Sequence, residues 1–311
     1  MIIDDPVATR ADAEGAISRL VAGGFILAAL APLTSGETET LDRDTGRLLA
    51  QAGLAVPDGD EYRPSPGLAE LLASPDQARF LNLLGNLRQM VTAASGVPGW
   101  SANDDQTLLA QGRASVAGTR LMLTTVIPGL PGLDSAIRAE GAAVLDIGVG
   151  AGGIAATLAG EFPGLRVVGI DVLDRAIRLA TAQVEQAGVA DRVELRLQDV
   201  AELTDDAAYE MIWLPGIFVP QQAVLAAIPR LHRALRPGGW LLVGALRDTD
   251  DPLWSAINRW RVVRDGGCPL TATEVIMELR QAGFTEITTP EVPRAAPALI
   301  AARRPLPQAA A

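Results

Sequence analysis

The chain has 311 residues, of which 49% are apolar and 20% charged, so it folds around one large or two medium cores and is not a disordered polymer. Its formal charge of −11 opposes encounter with a phosphate backbone or an anionic membrane, so neither nucleic acid nor membrane is expected as a partner. Cys268 is the only cysteine, which excludes an intramolecular disulfide and a cysteine metal cluster.

All basic residues are Arg, a mark of genome composition that carries no mechanism. The longest apolar run, about Val21 to Leu33, is shorter than the ~20 residues of a membrane span. Asp4, Asp5, Asp12 and Glu14 stand where a signal peptide would be basic, so a cytoplasmic location is expected.

In chain order, the first predicted helix covers about Ala8 to Ala31, with Ile17, Leu20, Val21, Phe25, Ala28 and Ala29 recurring at helical spacing on a face that needs a partner. A short helix near Asp42 to Ala52 ends at Gly53. A small hairpin turning at Asp58-Gly59-Asp60 and a helix over Leu68 to Leu72 follow. Helix, helix, hairpin is winged-helix order. Residues 1–100 hold seven Arg against thirteen Asp or Glu, so there is no basic stripe for DNA. A further helix is predicted over about Asp76 to Ala94, and the break at Ser95 to Trp100 places a domain boundary near residue 98. Helical stretches at about Asp104 to Val126 and Leu133 to Ala139 then lead to the most informative part of the chain and are expected to pack over a bound ligand.

Val144 to Gly153, VLDIGVGAGG, reads as a buried strand running into a tight turn that exposes its backbone, and then a helix. A second apolar run, Val167 to Ile170, ends in Asp171, where a carboxylate could hold two ribose hydroxyls. Gly148, Gly150 and Gly153 fit a dinucleotide loop. Asp146 argues against that ligand, because its charge at the mouth of the loop would repel a pyrophosphate and suits an ammonium or a sulfonium. Strand and helix then alternate, as a parallel sheet with helices on both faces requires. The strands are predicted at Val193 to Val200, Glu210 to Leu214 and Trp240 to Leu246, with helices at Leu173 to Gln186 and Gln222 to Leu235. A capping box at Thr271 and Glu274 opens the last helix, and strands near Phe284 to Glu291 and Ala298 to Arg303 close the chain.

With Asp146, Gly148, Gly150 and Gly152 in a D-x-G-x-G-x-G loop and Asp171 at the next strand end, the chain resembles the class I S-adenosylmethionine-dependent methyltransferases. The resemblance covers about Ala142 to Arg303 by ordered motifs, including Leu235 to Gly239 before the fifth strand and a terminal antiparallel hairpin. It implies a Rossmann-like, seven-stranded, mostly parallel sheet and S-adenosyl-L-methionine as cofactor. That cofactor would be held by Asp146, Gly148, Gly150, Gly152, Asp171, Val172, Asp199, Val200 and Leu214, with Asp199 at the adenine amine. The N-terminal part is similar in architecture to the winged-helix-like dimerisation domain of small-molecule methyltransferases. Residues 1–98 are accordingly expected to form such a domain and residues 99–311 the linker helices and cofactor domain, with its core at 140–304.

Many relatives of that type carry a His after the fourth strand as general base. Here Ile212 to Pro220 contain no ionisable residue, and the single histidine, His232, lies farther along a helix and reads as structural. No His/Asp/Glu cluster has metal-ligand spacing. Methyl transfer by positioning needs no base. Trp213, Phe218, Trp254 and Trp260 are the candidate walls of an apolar substrate pocket, with Phe218 foremost because it follows the fourth strand. The expected function is methyl transfer to N, C or O of a small apolar or aromatic metabolite by a homodimer. A metabolite-binding winged-helix regulator, or a member that kept the cofactor fold without methyl transfer, is the alternative. Aminopropyl transfer would share the loop but lacks its acidic substrate cluster.

Overall fold

The computed structural model describes residues 9–31, 33, 41–73, 87, 90–91, 99–292 and 297–307. The chain divides into two compact units, Met1–Val91 and Thr92–Ala311.

In the first unit, helix α1 (Arg10–Leu30) starts at a capping box in which Thr9 accepts from the Asp12 N–H and Asp12 reaches back to Thr9. Helix α2 (Arg43–Gln51) starts at Asp42, whose carboxylate accepts from the Asp44 and Thr45 N–H groups, both at 3.0 Å. Strands β1 (Ala55–Asp58) and β2 (Glu61–Pro64) form the predicted hairpin, and helix α3 (Pro66–Ala73) follows. Their small core joins Leu30, Ala31, Leu33, Leu41, Leu49, Ala55 and Leu68. Most of the helix predicted at 76–94 lies outside the described residues; those described there, 87, 90 and 91, are helical. On α1, Ile17, Leu20, Val21 and Phe25 are all more than half exposed. By length and composition α1 would suffice to cross a membrane. Its uncharged part, residues 20–30, falls well short of the ~20 residues such a span needs.

The second unit enters through a 3-10 turn (Trp100–Ala102) and helix α4 (Asp105–Leu121), which continues through a π-helical stretch (Met122–Val126) and one more turn (Ile127–Gly129). Helix α5 (Leu133–Ile137) leads into the sheet. In chain order there follow β3 (Ala143–Ile147), α6 (Gly153–Glu161), β4 (Arg166–Asp171), α7 (Asp174–Gln186), β5 (Val193–Leu197) and β6 (Tyr209–Leu214). The chain continues through α8 (Gln221–Ala234), β7 (Leu235–Ala245), α9 (Pro252–Arg264), α10 (Ala272–Gln281), β8 (Thr285–Thr288) and β9 (Ala298–Arg303). The seven strands lie in the order β5-β4-β3-β6-β7-β9-β8, and β9 runs antiparallel to both its neighbours. This is the mixed sheet of the Rossmann-like methyltransferase fold, as expected.

Alternation along each strand assigns the two faces. Leu145, Ile147, Val168, Ile212 and Leu241 pack with Val224, Ile228 and Leu231 of α8 and Leu279 of α10. Val144, Val167, Met211 and Leu242 face the other way, onto Leu133 and Ile137 of α5, Leu158 of α6 and Val184 of α7. Each such side chain, fully buried, contributes roughly 1.5–3 kcal/mol, so one register slip would expose a whole layer. One boundary differs from expectation. Leu235 to Gly239 belong to β7 and do not form a turn, and the pairing with β6 is irregular there, shifting between Tyr209 and Met211. Gly239 permits this because a Cβ on it would lie 3.0 Å from the Glu210 carbonyl oxygen.

Candidate active site

The order of strands reverses direction at β3, whose neighbours are β4 on one side and β6 on the other. A crevice at the carboxyl ends of such strands is where open α/β sheets bind ligands. The glycine loop leaves β3 at this point. Gly148, Gly150 and Gly152 have φ of +63°, +54° and +80°, a region that other L-residues resist. A Cβ on Gly150 would find nothing closer than 3.8 Å, so its outer side is open. Gly153 is crowded instead, and a Cβ there would fall 2.4 Å from the carbonyl oxygen of Gly112 on α4.

Asp171 at the end of β4 holds the loop in shape. Its carboxylate accepts from the Gly150 N–H and the Leu173 N–H, each at 2.9 Å. Burial pushes its pKa up, and these main-chain donors, with that of Val172, oppose the rise. A carboxylate has about four lone-pair sites, so these donors leave room for a hydroxyl. The bond to Leu173 matches the capping role that the sequence offered beside the ribose clamp, whereas the hold on the Gly150 N–H was not foreseen.

Asp146 is the anomaly. It is 1% exposed and lies on the face of β3 between Gly169 of β4 and Trp213 of β6, yet neither carboxylate oxygen has a hydrogen-bond partner. Burial, then the charge of Asp171, raise its pKa to about 8, with the Ala155 main chain acting weakly against them. An unpartnered buried polar group costs about 1–3 kcal/mol, more when charged. A cationic ligand at the loop would remove that cost, and this is how the residues present fit a sulfonium cofactor with its ammonium.

The other predicted residues are distributed along the same edge. Val172 is 61% exposed and Leu197, at the paired end of β5, is 59% exposed, so two apolar side chains stand uncovered on adjoining strand tips. Leu197 was not anticipated. Asp199 accepts from the Ala201 N–H at 2.8 Å and so starts a 3-10 turn. Val200 and Leu214 are buried in the core, which leaves only their main chain for a ligand. Trp213 packs its ring edge against Gly244, where a Cβ would lie 3.2 Å from the ring, and its indole nitrogen is buried without a partner.

Phe218 sits in a 3-10 turn (Gly216–Phe218) directly after β6 and meets Trp100 edge to face, ring centroids 5.2 Å apart. The turn is backed by Gly267, where a Cβ would fall 1.9 Å from the Ile217 carbonyl oxygen. Trp254 and Trp260 do not join these rings in an enclosed wall. Both lie on α9 and are 55% and 57% exposed, and Trp260 is approached instead by the Arg264 guanidinium at 5.9 Å. Sequence reasoning placed them in the pocket on aromatic character alone.

His232 is far from this edge. The last turn of α8, which carries it, offers the Arg233 and Ala234 carbonyls to the Ala207 and Ala208 N–H groups just before β6 begins, so it belongs to the amino edge of the sheet. Its ring packs edge to face on Phe284 at 4.9 Å. Burial and the Arg304 charge hold its pKa below the usual imidazole range. Among the described residues no group of three or more His, Cys, Asp or Glu could hold a metal.

Fold and site together define a Rossmann-like α/β domain with a glycine loop after the first strand of its sheet and an acid after the second. Residues 144–239 match the family described as a methyltransferase domain. A release factor glutamine methyltransferase of Cereibacter sphaeroides is 38% identical over 117 residues, which is 36% of this chain and 42% of that protein. The chain spans about half, or less, of the length of the first curated relatives it matches. Human N-acetylserotonin methyltransferase in complex with S-adenosylmethionine shares the fold with a TM-score of 0.65 at 17% identity, covering 98% of this chain and 100% of that one. An O-methyltransferase family protein from Burkholderia thailandensis does so with 0.64 at 18% identity, covering 97% and 100%.

Proposed function

We propose that this protein transfers a methyl group from S-adenosylmethionine to a small apolar or aromatic metabolite. The observation that carries the reading is the buried, unpartnered carboxyl of Asp146 beside an open glycine loop. The bound sulfonium would supply an electrophilic methyl and a neutral leaving group. Asp171 and the main chain of the loop would fix the ribose and methionyl parts, Val172 and Leu197 would cover the adenine, and Asp199 would reach its amine. Phe218 and Trp100, just past the tip of β6, would exclude water and hold the acceptor in line. Such positioning can lower the barrier by roughly 7–11 kcal/mol without a base, which accords with the uncharged run Ile212 to Pro220.

The solved structures of similar fold include small-molecule methyltransferases, which supports a metabolite as acceptor and a place in secondary metabolism. The N-terminal unit, with helices and hairpin in winged-helix order, would serve as a homodimerisation domain in a cytoplasmic enzyme. In support, Ile17, Leu20, Val21 and Phe25 form an uncovered apolar stripe on α1. Titration calorimetry with S-adenosylmethionine, S-adenosylhomocysteine and NAD tests the central claim. The first two should bind and NAD should not, and binding of NAD alone would overturn it.

A further inference from the structure

Two buried polar atoms on the segment entering α4 are used by none of the contacts described above. Asn103 is 3% exposed and its carboxamide oxygen has no partner, and the indole nitrogen of Trp100 is buried and equally without one. They lie three residues apart in one turn, closed by the Asn103 N–H donating to the Trp100 carbonyl at 3.2 Å. One is a donor and the other an acceptor.

The turn is a built feature, fixed from three directions. The Arg175 guanidinium, from α7 just beyond Asp171, donates to the Asn103 main-chain carbonyl. The Gly99 N–H donates to the Arg264 carbonyl at 3.1 Å. The Trp100 ring stands edge-on to Phe218. The turn therefore reaches from the β4 side of the sheet edge to the tip of β6, above the glycine loop on which α4 rests. The cations nearby are already engaged. Arg175 also pairs with Asp105 at 3.3 Å, and Arg264 pairs with Asp265. Nothing in the turn calls for a charged ligand.

We propose that Trp100 and Asn103 hold the methyl acceptor by its polar edge. The indole N–H donates to a carbonyl or hydroxyl oxygen of the acceptor, and the Asn103 oxygen accepts from an adjacent N–H or O–H. The acceptor class is then a neutral, planar aromatic with donor and acceptor side by side, its flat body against Phe218. This rests on the methyltransferase reading and adds what that reading lacks, a chemical description of the substrate. A site built to hydrogen-bond a donor discriminates strongly against the isostere without it, because its own buried acceptor is then left unpaired.

The test uses the full chain saturated with S-adenosylhomocysteine and two probes of one shape. 2-Quinolone presents C=O and N–H on one edge, and coumarin has a ring oxygen where the N–H would be. Wild type should bind 2-quinolone at least about tenfold more tightly than coumarin. Asn103→Leu should abolish that preference, and Trp100→Phe, which keeps a ring and removes the N–H, should weaken both probes by a similar factor. Equal binding of the probes by wild type, a preference that survives Asn103→Leu, or unchanged affinities in Trp100→Phe would each overturn the proposal. Should Asn103→Leu fail to fold, Trp100→Phe and the wild-type comparison still decide it. S-adenosylhomocysteine affinity should be unchanged in both variants. Failure of wild type to bind S-adenosylhomocysteine would count against the methyltransferase reading instead.

Discussion

The two edges of the central sheet treat a buried acid in opposite ways. At the amino edge Glu210, 7% exposed, accepts from the Ala143 N–H at 2.6 Å and pairs with Arg236 at 2.6 Å, so its charge is compensated within the fold. At the carboxyl edge Asp146, 1% exposed, has no hydrogen-bond partner within reach of either carboxylate oxygen. One acid stitches β3 to β6, and the other is left without a partner in the fold. A buried carboxylate without partners lowers stability, so its presence is best understood through the ligand it would meet.

That contrast is sharpened most by replacing Asp146. Its raised pKa means that folding takes up a proton wherever the unfolded chain would have lost it, so the wild type loses stability as pH rises from about 4 to about 8. Asp146→Asn should remove this slope and raise stability at neutral pH by on the order of 2–4 kcal/mol, while weakening S-adenosylmethionine binding. Thermal melts from pH 5 to 9 beside calorimetry would show it, and a variant less stable than wild type at pH 8 would contradict the comparison. Cofactor affinity in wild type should also increase across the same range as the carboxyl ionises.

Asp171→Ala is expected to weaken cofactor binding by roughly 1.5–3 kcal/mol, the range for hydrogen bonds to a charged group. Because the same carboxylate holds the Gly150 and Leu173 N–H groups, stability should fall as well, and unchanged affinity in the folded variant would remove Asp171 from the site. Glu210→Ala should behave as its mirror image. It leaves the Ala143 N–H unpaired, so chemical denaturation should report a loss of about 1–3 kcal/mol with cofactor affinity intact; a selective loss of affinity would refute the division between the edges.

The smallest effect belongs to His232. A histidine whose folded pKa lies below its unfolded value destabilises the fold as pH drops below about 6.5, so His232→Gln should flatten the acid side of the stability curve. Turnover with the true acceptor should stay within about threefold, whereas general bases contribute 10²–10⁴-fold. A hundredfold fall at unchanged stability would make it the base after all.

What could be read from the sequence was what depends on neighbours along the chain. The glycine loop, the acid at the end of β4 and the succession of strands and helices along the chain follow from local spacing and alternation, and the fold agrees with them. Trp100 and Asn103 escaped notice because an unpartnered atom is a property of three-dimensional packing, and S-A-N carries no signal of it. The exposure of Trp254 and Trp260 was hidden from the sequence for the converse reason. Aromatic side chains mark apolar surface, but whether a helix turns them inward depends on its rotation, and α9 leaves both outward. The helix and the RPGG turn before β7 were anticipated as separate features, whereas Gly238 and Gly239 let the strand begin earlier.

The contact between Gly112 and Gly153 has a mechanical consequence. With no side chain on either, α4 and the first turn of α6 touch main chain to main chain, and a single methyl group would force them apart. The partition between the glycine loop and the helix above it is therefore one backbone thick and has no compressible layer. Any shift of the loop would bear directly on α4, whose first residues follow the turn that carries Trp100 and Asn103.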